Sequence, residues 1–165
     1  VDVEAAGRVE RFDELVLACH GDQARRLLAD ATWSEDRLLS AIRYQPNRVV
    51  LHTDISLLPR SRRAWAAWNY HLLEGEQGRV PVTYNMNILQ GFDCSEQFCV
   101  TLNNSDAIDQ SKVLKRMNYQ HPVYTPESVA AQARQAEINN DRTFYCGAYW
   151  RYGFHEDGVV SALDA

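Results

Sequence analysis

The stretch RVPVTYNMNIL, residues 79–89, constrains the fold more than any other part of the chain, because apolar and polar residues alternate along it. In a strand, successive side chains point to opposite faces, so Val80, Val82, Tyr84, Met86 and Ile88 share one face while Thr83, Asn85 and Asn87 share the other. The first set is expected to pack, and the second to form a polar-aromatic face able to line a cavity. The same period of two marks RVVLHTD (48–54), AWAAWNYHLL (64–73) and QFCVTLN (97–103), with EGEQG (74–78) as a hairpin loop. Together these segments predict an antiparallel meander.

On either side of the meander the pattern becomes mixed. Residues 1–4 and 9–12 flank a turn at Ala6-Gly7, as in a hairpin, and DELVLAC (13–19) reads as a short buried strand. His20-Gly21-Asp22 then turns the chain into QARRLLAD, with Asp22 as the expected N-cap. Ser34, with Glu35 and Asp36 in the first turn, signals a second helix ending near Tyr44, before Pro46. A third helix is expected over about 107–118, carrying Ile108, Val113, Leu114 and Met117. Thr125-Pro126-Glu127 supplies an N-cap, a first-position proline and an acidic first turn for a fourth. TFYCGAYW re-enters a strand before a terminal helix. The expected class is therefore α+β, an antiparallel meander with flanking helices.

The chain has 165 residues, enough for a core without disulfide or metal support. Its 17 Lys plus Arg against 22 Asp plus Glu argue against a phosphate-binding face, and so against nucleic acid as a partner. Cys19, Cys94, Cys99 and Cys146 show no CxxC spacing, which fits reduced thiols in a cytoplasmic protein. No apolar run approaches a membrane span and no signal-peptide pattern opens the sequence. The first methionine is Met86, and the opening residues read like the middle of a sheet, so an excised fragment is expected.

Few residues group into a catalytic pattern. His20, His52, His71, His121 and His155 lie on separate elements without HxxxH or HExxH spacing, which gives no metal site. No GxSxG elbow is present. Cys19 and His20 are adjacent on a strand and so point to opposite faces, a poor geometry for a thiol nucleophile and its base. Glu156 and Asp157 fit a capping role in a first helical turn. The loop holding Gly147 and Gly153, feeding a helix at about residues 154–158, is more suggestive. Such a helix start offers N–H groups and a positive dipole end to a phosphate or to the negative charge of a reduced flavin, although tight packing alone also selects glycines.

The segment FYCGAYWRYGFHEDGVVSAL resembles the closing flavin-contact segment of the FAD-dependent amine oxidase and phytoene-desaturase superfamily. FDELVLACHGDQARRLL, AIRYQPNRVVLHTD, LLPRSRRAWAAWNYH, VTYNMNILQ and CGAYWRYGFHEDG together resemble a bacterial branch of predicted NAD/FAD-binding, amine-oxidase-like proteins. The resemblance implies that residues 1–30 are a returning piece of a FAD domain, 31–139 most of a substrate domain, and 140–165 the C-terminal FAD-contact segment. It puts Gly147 and Ala148 on the ribityl and pyrophosphate side of FAD. Phe154, His155, Glu156, Asp157 and Gly158 would then stand at the helix start beside the isoalloxazine.

The superfamily's GxGxxG loop does not occur in this sequence, and the resemblance places it in a missing N-terminal FAD-binding half of the parent. The implied activity is removal of a hydride from a substrate C–H bond onto FAD, with a small-molecule substrate lined by Trp65, Asn69, His71, Thr83, Asn85 and Asn87. For those six, a solvent-facing sheet surface is the competing expectation. A reading from another class is a non-catalytic α+β module enclosing a small apolar ligand.

Overall fold

Fourteen regular elements follow one another along the computed structural model, which describes residues 1–73 and 78–165. In chain order they are β1 (Asp2–Ala5), β2 (Arg8–Arg11), β3 (Leu15–Leu17), α1 (Gly21–Leu27), α2 (Trp33–Ala41), β4 (Tyr44–His52), β5 (Trp68–Tyr70), β6 (Val82–Asn85), α3 (Met86–Gln90), β7 (Cys99–Leu102), β8 (Val113–Pro122), α4 (Pro126–Gln132), β9 (Thr143–Tyr145) and α5 (His155–Leu163). Short 3-10 turns join several of them. The chain forms two compact units, one from residues 1–45 and 122–165, the other from residues 46–121.

In the first unit β1 and β2 make the expected hairpin, with Ala6 and Gly7 both at positive φ (52° and 72°), the conformation a two-residue turn between right-twisted strands needs. β3 pairs in parallel with β9, Leu15 opposite Thr143 and Leu17 opposite Tyr145. Leu17 and Tyr145 of this pair cluster with Ala24, Leu38, Leu39, Ile42, Ala131, Ile138, Tyr149 and Trp150 as the core of the unit. Thr125 caps α4 as expected, its Oγ1 accepting from the Ser128 N–H at 3.2 Å.

Two caps differ from expectation. α2 starts one residue before Ser34, under Thr32, because Thr32 and Glu35 satisfy each other's backbone: Thr32 Oγ1 accepts from the Glu35 N–H and Glu35 Oε2 accepts from the Thr32 N–H at 2.7 Å. α1 starts at Gly21, with His20 in the cap position, and Asp22 instead pairs with Arg26 at 2.9 Å one turn on. α2 also stops at Ala41, short of the expected Tyr44, because the chain there enters β4.

The second unit holds a five-stranded sheet in the order β5-β6-β7-β4-β8. β5, β6 and β7 form an antiparallel meander, and β7 pairs antiparallel with β4. The expected order is thus corrected: β4 lies beyond β7 rather than beside β5. The expected hairpin loop at 74–78 lies, apart from Gly78, outside the described residues. The expected strand over 64–73 contracts to Trp68–Tyr70, after a 3-10 turn at Arg62–Ala64.

The helix expected over 107–118 is replaced by 3-10 turns at Ser105–Ala107 and Gln110–Lys112 and then by β8. Val113 and Met117, two of its three half-buried residues, are four apart, a spacing that keeps one face in a helix and in a strand alike. Pairing beside β4 decides between them.

Residues 79–89 are corrected twice. The strand ends at Asn85, whose Oδ1 accepts from the Ile88 N–H at 3.2 Å and so caps α3, closed in turn by Gly91 in the left-handed conformation (φ 66°). The faces are also inverted. Thr83 and Asn85 are fully buried and Asn87 is 8% exposed, whereas Val82, Tyr84 and Met86 are half-buried and Val80 and Ile88 exposed. Register explains the burial: Thr83 stands opposite Thr101, which stands opposite Val50, and Asn85 opposite Cys99, which stands opposite His52. The covered face of this sheet carries Val50 and Cys99 beside polar side chains, of which His52, Thr101 and Thr83 bond one another.

Candidate functional site

The parallel pairing of β3 and β9 brings two turns to the same end of both strands: Cys19-His20-Gly21 leading into α1, and Cys146-Gly147-Ala148 leading into the 3-10 turn Ala148–Trp150. The Cys146 N–H continues the ladder onto the Leu17 carbonyl at 3.2 Å. Between the turns lies the buried ring of Tyr149. A Cβ on Gly147 would stand 2.5 Å from its Cε1, and one on Gly21 3.2 Å from its Cε2, so both positions need glycine or near-glycine bulk. The Gly21 N–H donates to Tyr44 Oη at 3.0 Å, and the Tyr44 ring stacks on His20 with centroids 4.6 Å apart.

This corner contains buried polar atoms: His20 Nδ1, without a partner among the described residues, and Tyr149 Oη and Trp150 Nε1, which face each other without a hydrogen bond of good geometry. Burial pushes the Tyr149 and Tyr44 hydroxyls up, so both stay protonated and able to donate. Burial likewise raises the Cys19 and Cys146 thiols, which opposes a thiolate nucleophile at either turn.

The closing segment is fixed by two glutamines. Gln132 Nε2 donates to the carbonyls of Tyr149 (2.8 Å) and Arg151 (2.6 Å), and Gln135 Nε2 to those of Tyr145 (2.9 Å) and Ser161 (3.2 Å). The Gly147 N–H donates to the buried Ser161 Oγ at 2.9 Å. Gly153, at φ 91°, turns the chain into α5, and a Cβ there would meet Tyr124 Oη at 2.9 Å. Asp157 Oδ2 accepts from the Phe154 N–H at 2.9 Å, which ties its carboxylate into the start of the helix. Phe154 provides no side-chain cap, and His155 and Glu156 are exposed. A Cβ on Gly158 would reach only ordinary contact with Ala148, at 3.8 Å.

Of the residues the resemblance assigns to FAD, Gly147, Ala148 and Gly158 are thus brought together, while Phe154, His155, Glu156 and Asp157 form the start of α5. The sequence reading missed Tyr44, Tyr149, Trp150, Ser161 and the two glutamines. The dense aromatic run after Gly147 was the available signal for two of them.

In the other unit, the six residues assigned to substrate make bonds within the protein. Trp65 Nε1 donates to the Pro59 carbonyl at 2.8 Å. Asn69 Nδ2 donates to the carbonyls of Ala66 (2.7 Å) and Thr83 (3.2 Å). Asn87 bridges the Glu96 carbonyl (2.8 Å) and the Phe98 N–H (2.9 Å), and Asn85 reaches Gln97 and Ile88. His71 meets Thr83, which meets Thr101, which meets His52. Burial lowers both imidazoles, so each favours the neutral form, although the Asp54 charge partly opposes this at His52. Among the described residues, no group of three or more His, Cys, Asp or Glu could hold a metal ion, and no helix is long and apolar enough to cross a membrane.

No protein-family model matches the chain, and no curated protein gives a significant match.

Proposed function

We propose that the chain is the C-terminal part of a FAD-dependent oxidoreductase of the flavin amine oxidase superfamily, whose parent takes a hydride from a substrate C–H bond. The observation that carries this reading is the parallel β3–β9 pair, with both following turns at one end. In open α/β sheets, ligands bind beyond the carboxyl ends of parallel strands. Glycines there press the backbone onto Tyr149, and His20 Nδ1, Tyr149 Oη and Trp150 Nε1 add buried polar atoms at the same corner. These groups fit a polar, partly aromatic cofactor.

In this reading FAD, when bound, supplies the redox step. The chain's own residues hold and shield it. The Cys146-Gly147-Ala148 turn would face its ribityl and pyrophosphate side and the start of α5 its isoalloxazine, with Asp157 Oδ2 taken up by the Phe154 N–H within the cap. The GxGxxG loop would come from the remainder of the parent chain. A small-molecule substrate and a cytoplasmic setting, in keeping with four unpaired cysteines, belong to the same proposal.

The test is to purify the product of the complete open reading frame and, separately, residues 1–165, and to record visible spectra with chromatography of any released flavin. A yellow, flavin-containing full-length protein beside a colourless 165-residue chain is expected. A full-length product without flavin and without a GxGxxG loop would overturn the proposal.

A further inference from the structure

Four side chains cross the sheet in one unbroken series. His52 Nε2 lies 2.7 Å from Thr101 Oγ1, Thr101 Oγ1 lies 2.7 Å from Thr83 Oγ1, and Thr83 Oγ1 lies 2.8 Å from His71 Nε2. His52, Thr101 and Thr83 are fully buried, and His71 is partly exposed. Each hydroxyl has one proton to donate. The direction of every bond then depends on what happens at the ends.

The buried end is set by the backbone. The Asp54 N–H donates to His52 Nδ1 at 3.1 Å, so that nitrogen is an acceptor and the proton of neutral His52 sits on Nε2. Nε2–H therefore donates to Thr101. If Thr83 also donated to Thr101, the Thr101 proton would be buried with no acceptor among the described residues, an arrangement folded cores avoid. The arrangement that satisfies every buried proton runs head to tail: His52 to Thr101, Thr101 to Thr83, Thr83 to His71 Nε2. His71 then carries its proton on Nδ1.

We infer that this chain of hydrogen bonds fixes His52 as the Nε2–H tautomer and His71 as the Nδ1–H tautomer, leaving His71 a hydrogen-bond donor, and not a base, at the nitrogen the chain does not use. Thr83 and Thr101 are positioning residues that pass the direction set at Asp54 across two strands. A molecule that binds at His71 must offer an acceptor, such as a carbonyl or carboxylate oxygen. The inference does not rest on the flavin reading and survives its failure.

The same geometry makes the chain sensitive to acid. Protonating His71 at Nε2 would reverse each donor in turn and require Nδ1 of His52 to carry a proton against the Asp54 N–H. The charged and titratable groups around His52 are Asp54, held by the N–H groups of Ser56 and Asp109 and 3.6 Å from Lys112 Nζ, and Cys99 across the ladder. At His71 the described residues contribute no charged group, only burial, which also favours the neutral ring.

Long-range proton–nitrogen correlation spectra of the full chain distinguish the two neutral tautomers, with His52→Gln and His71→Gln used to assign the signals. His52 is expected as Nε2–H and His71 as Nδ1–H at pH 7.5. Thr83→Val, close in shape but without the hydroxyl, should leave His52 unchanged and return His71 to the Nε2–H form usual for free imidazole. His71 found as Nε2–H in the unmodified chain overturns the inference, as does a His71 tautomer unmoved in a folded Thr83→Val variant. If that variant does not fold, the tautomers of the unmodified chain decide alone.

Discussion

The Tyr145 hydroxyl donates to the Glu35 carboxylate at 2.6 Å, joining the last strand of the parallel pair to the first turn of α2 across 110 residues of sequence. Glu35 Oε2 meanwhile accepts from the Thr32 N–H and hydroxyl, both at 2.7 Å. Burial pushes this carboxyl up, but the bonds from Tyr145 and Thr32 outweigh it and hold the group below the usual carboxylate range. One acidic side chain thus closes a capping box and anchors a buried tyrosine.

Tyr145→Phe removes the buried donor that the described residues supply to Glu35 Oε1 and should destabilise the chain by about 1–3 kcal/mol. Glu35→Gln keeps the volume but has one acceptor oxygen, so it cannot accept from Tyr145 and from the Thr32 N–H together, and it should cost at least as much. Chemical denaturation curves for both variants check this, and a Tyr145→Phe variant as stable as the unmodified chain would mean that the hydroxyl contributes nothing beyond packing.

Gly147 and Gly158 differ in what surrounds them. Gly147→Ala drives a methyl group into the Tyr149 ring, 2.5 Å away, and overpacking of this kind costs about 1–3 kcal/mol. Gly158→Ala meets only ordinary contact within α5, where alanine is favoured by up to about 1 kcal/mol, so thermal stability should hold or rise. Melting temperatures moving in the same direction would contradict the local packing.

Hydropathy alone ranks Ile88 above Asn87 as a core residue, and burial reverses the ranking. Asn87→Ala breaks bonds to the Glu96 carbonyl and the Phe98 N–H and should cost about 1–3 kcal/mol. Ile88→Ala, at an exposed site, should stay within about 1 kcal/mol. Equilibrium unfolding of the pair would reveal an error if Ile88→Ala proved the more damaging.

Asp54 gives the chain an acid dependence with a definite sign. Burial alone would raise its carboxyl, but the N–H groups of Asp109 and Ser56, helped by Lys112, bring it down to about 2. A carboxylate with a depressed folded pKa contributes stability that is full above its unfolded value near 4 and is lost as pH falls toward about 2. The contribution is about 2 kcal/mol. Asp54→Asn should therefore be less stable than the unmodified chain at pH 7, with the difference shrinking between pH 4 and pH 2. A constant difference across that window would show that the charge is not what stabilises the fold.

The local signals in the sequence were read well where a few neighbouring residues settle the outcome. The Ala6-Gly7 turn, the Thr125-Pro126 start of α4 and the terminal helix after Phe154 each depend on backbone groups within about four residues. The cap at Asn85 and the stop at Gly91 were equally local, and were hidden only because strong alternation continued through them. At the candidate site, the glycine turn and the helix start were visible in sequence, but Tyr44 and Ser161 were not. Tyr44 meets Gly21 and Ser161 meets Gly147 only after the chain has folded.

What the sequence determined by itself is the mixture of strands and helices, several of their ends, and a terminal glycine turn leading into a helix. Tertiary structure alone decided which strands pair, that residues 113–122 extend rather than coil, and which face of residues 82–87 is covered. Alternation says that two faces differ, not which one is buried. That choice followed from register with β7 and β4, where Thr83 meets Thr101 and, through it, His52. A polar face can occupy an interior once its hydrogen bonds are all made, and partners up to 49 residues apart make them here.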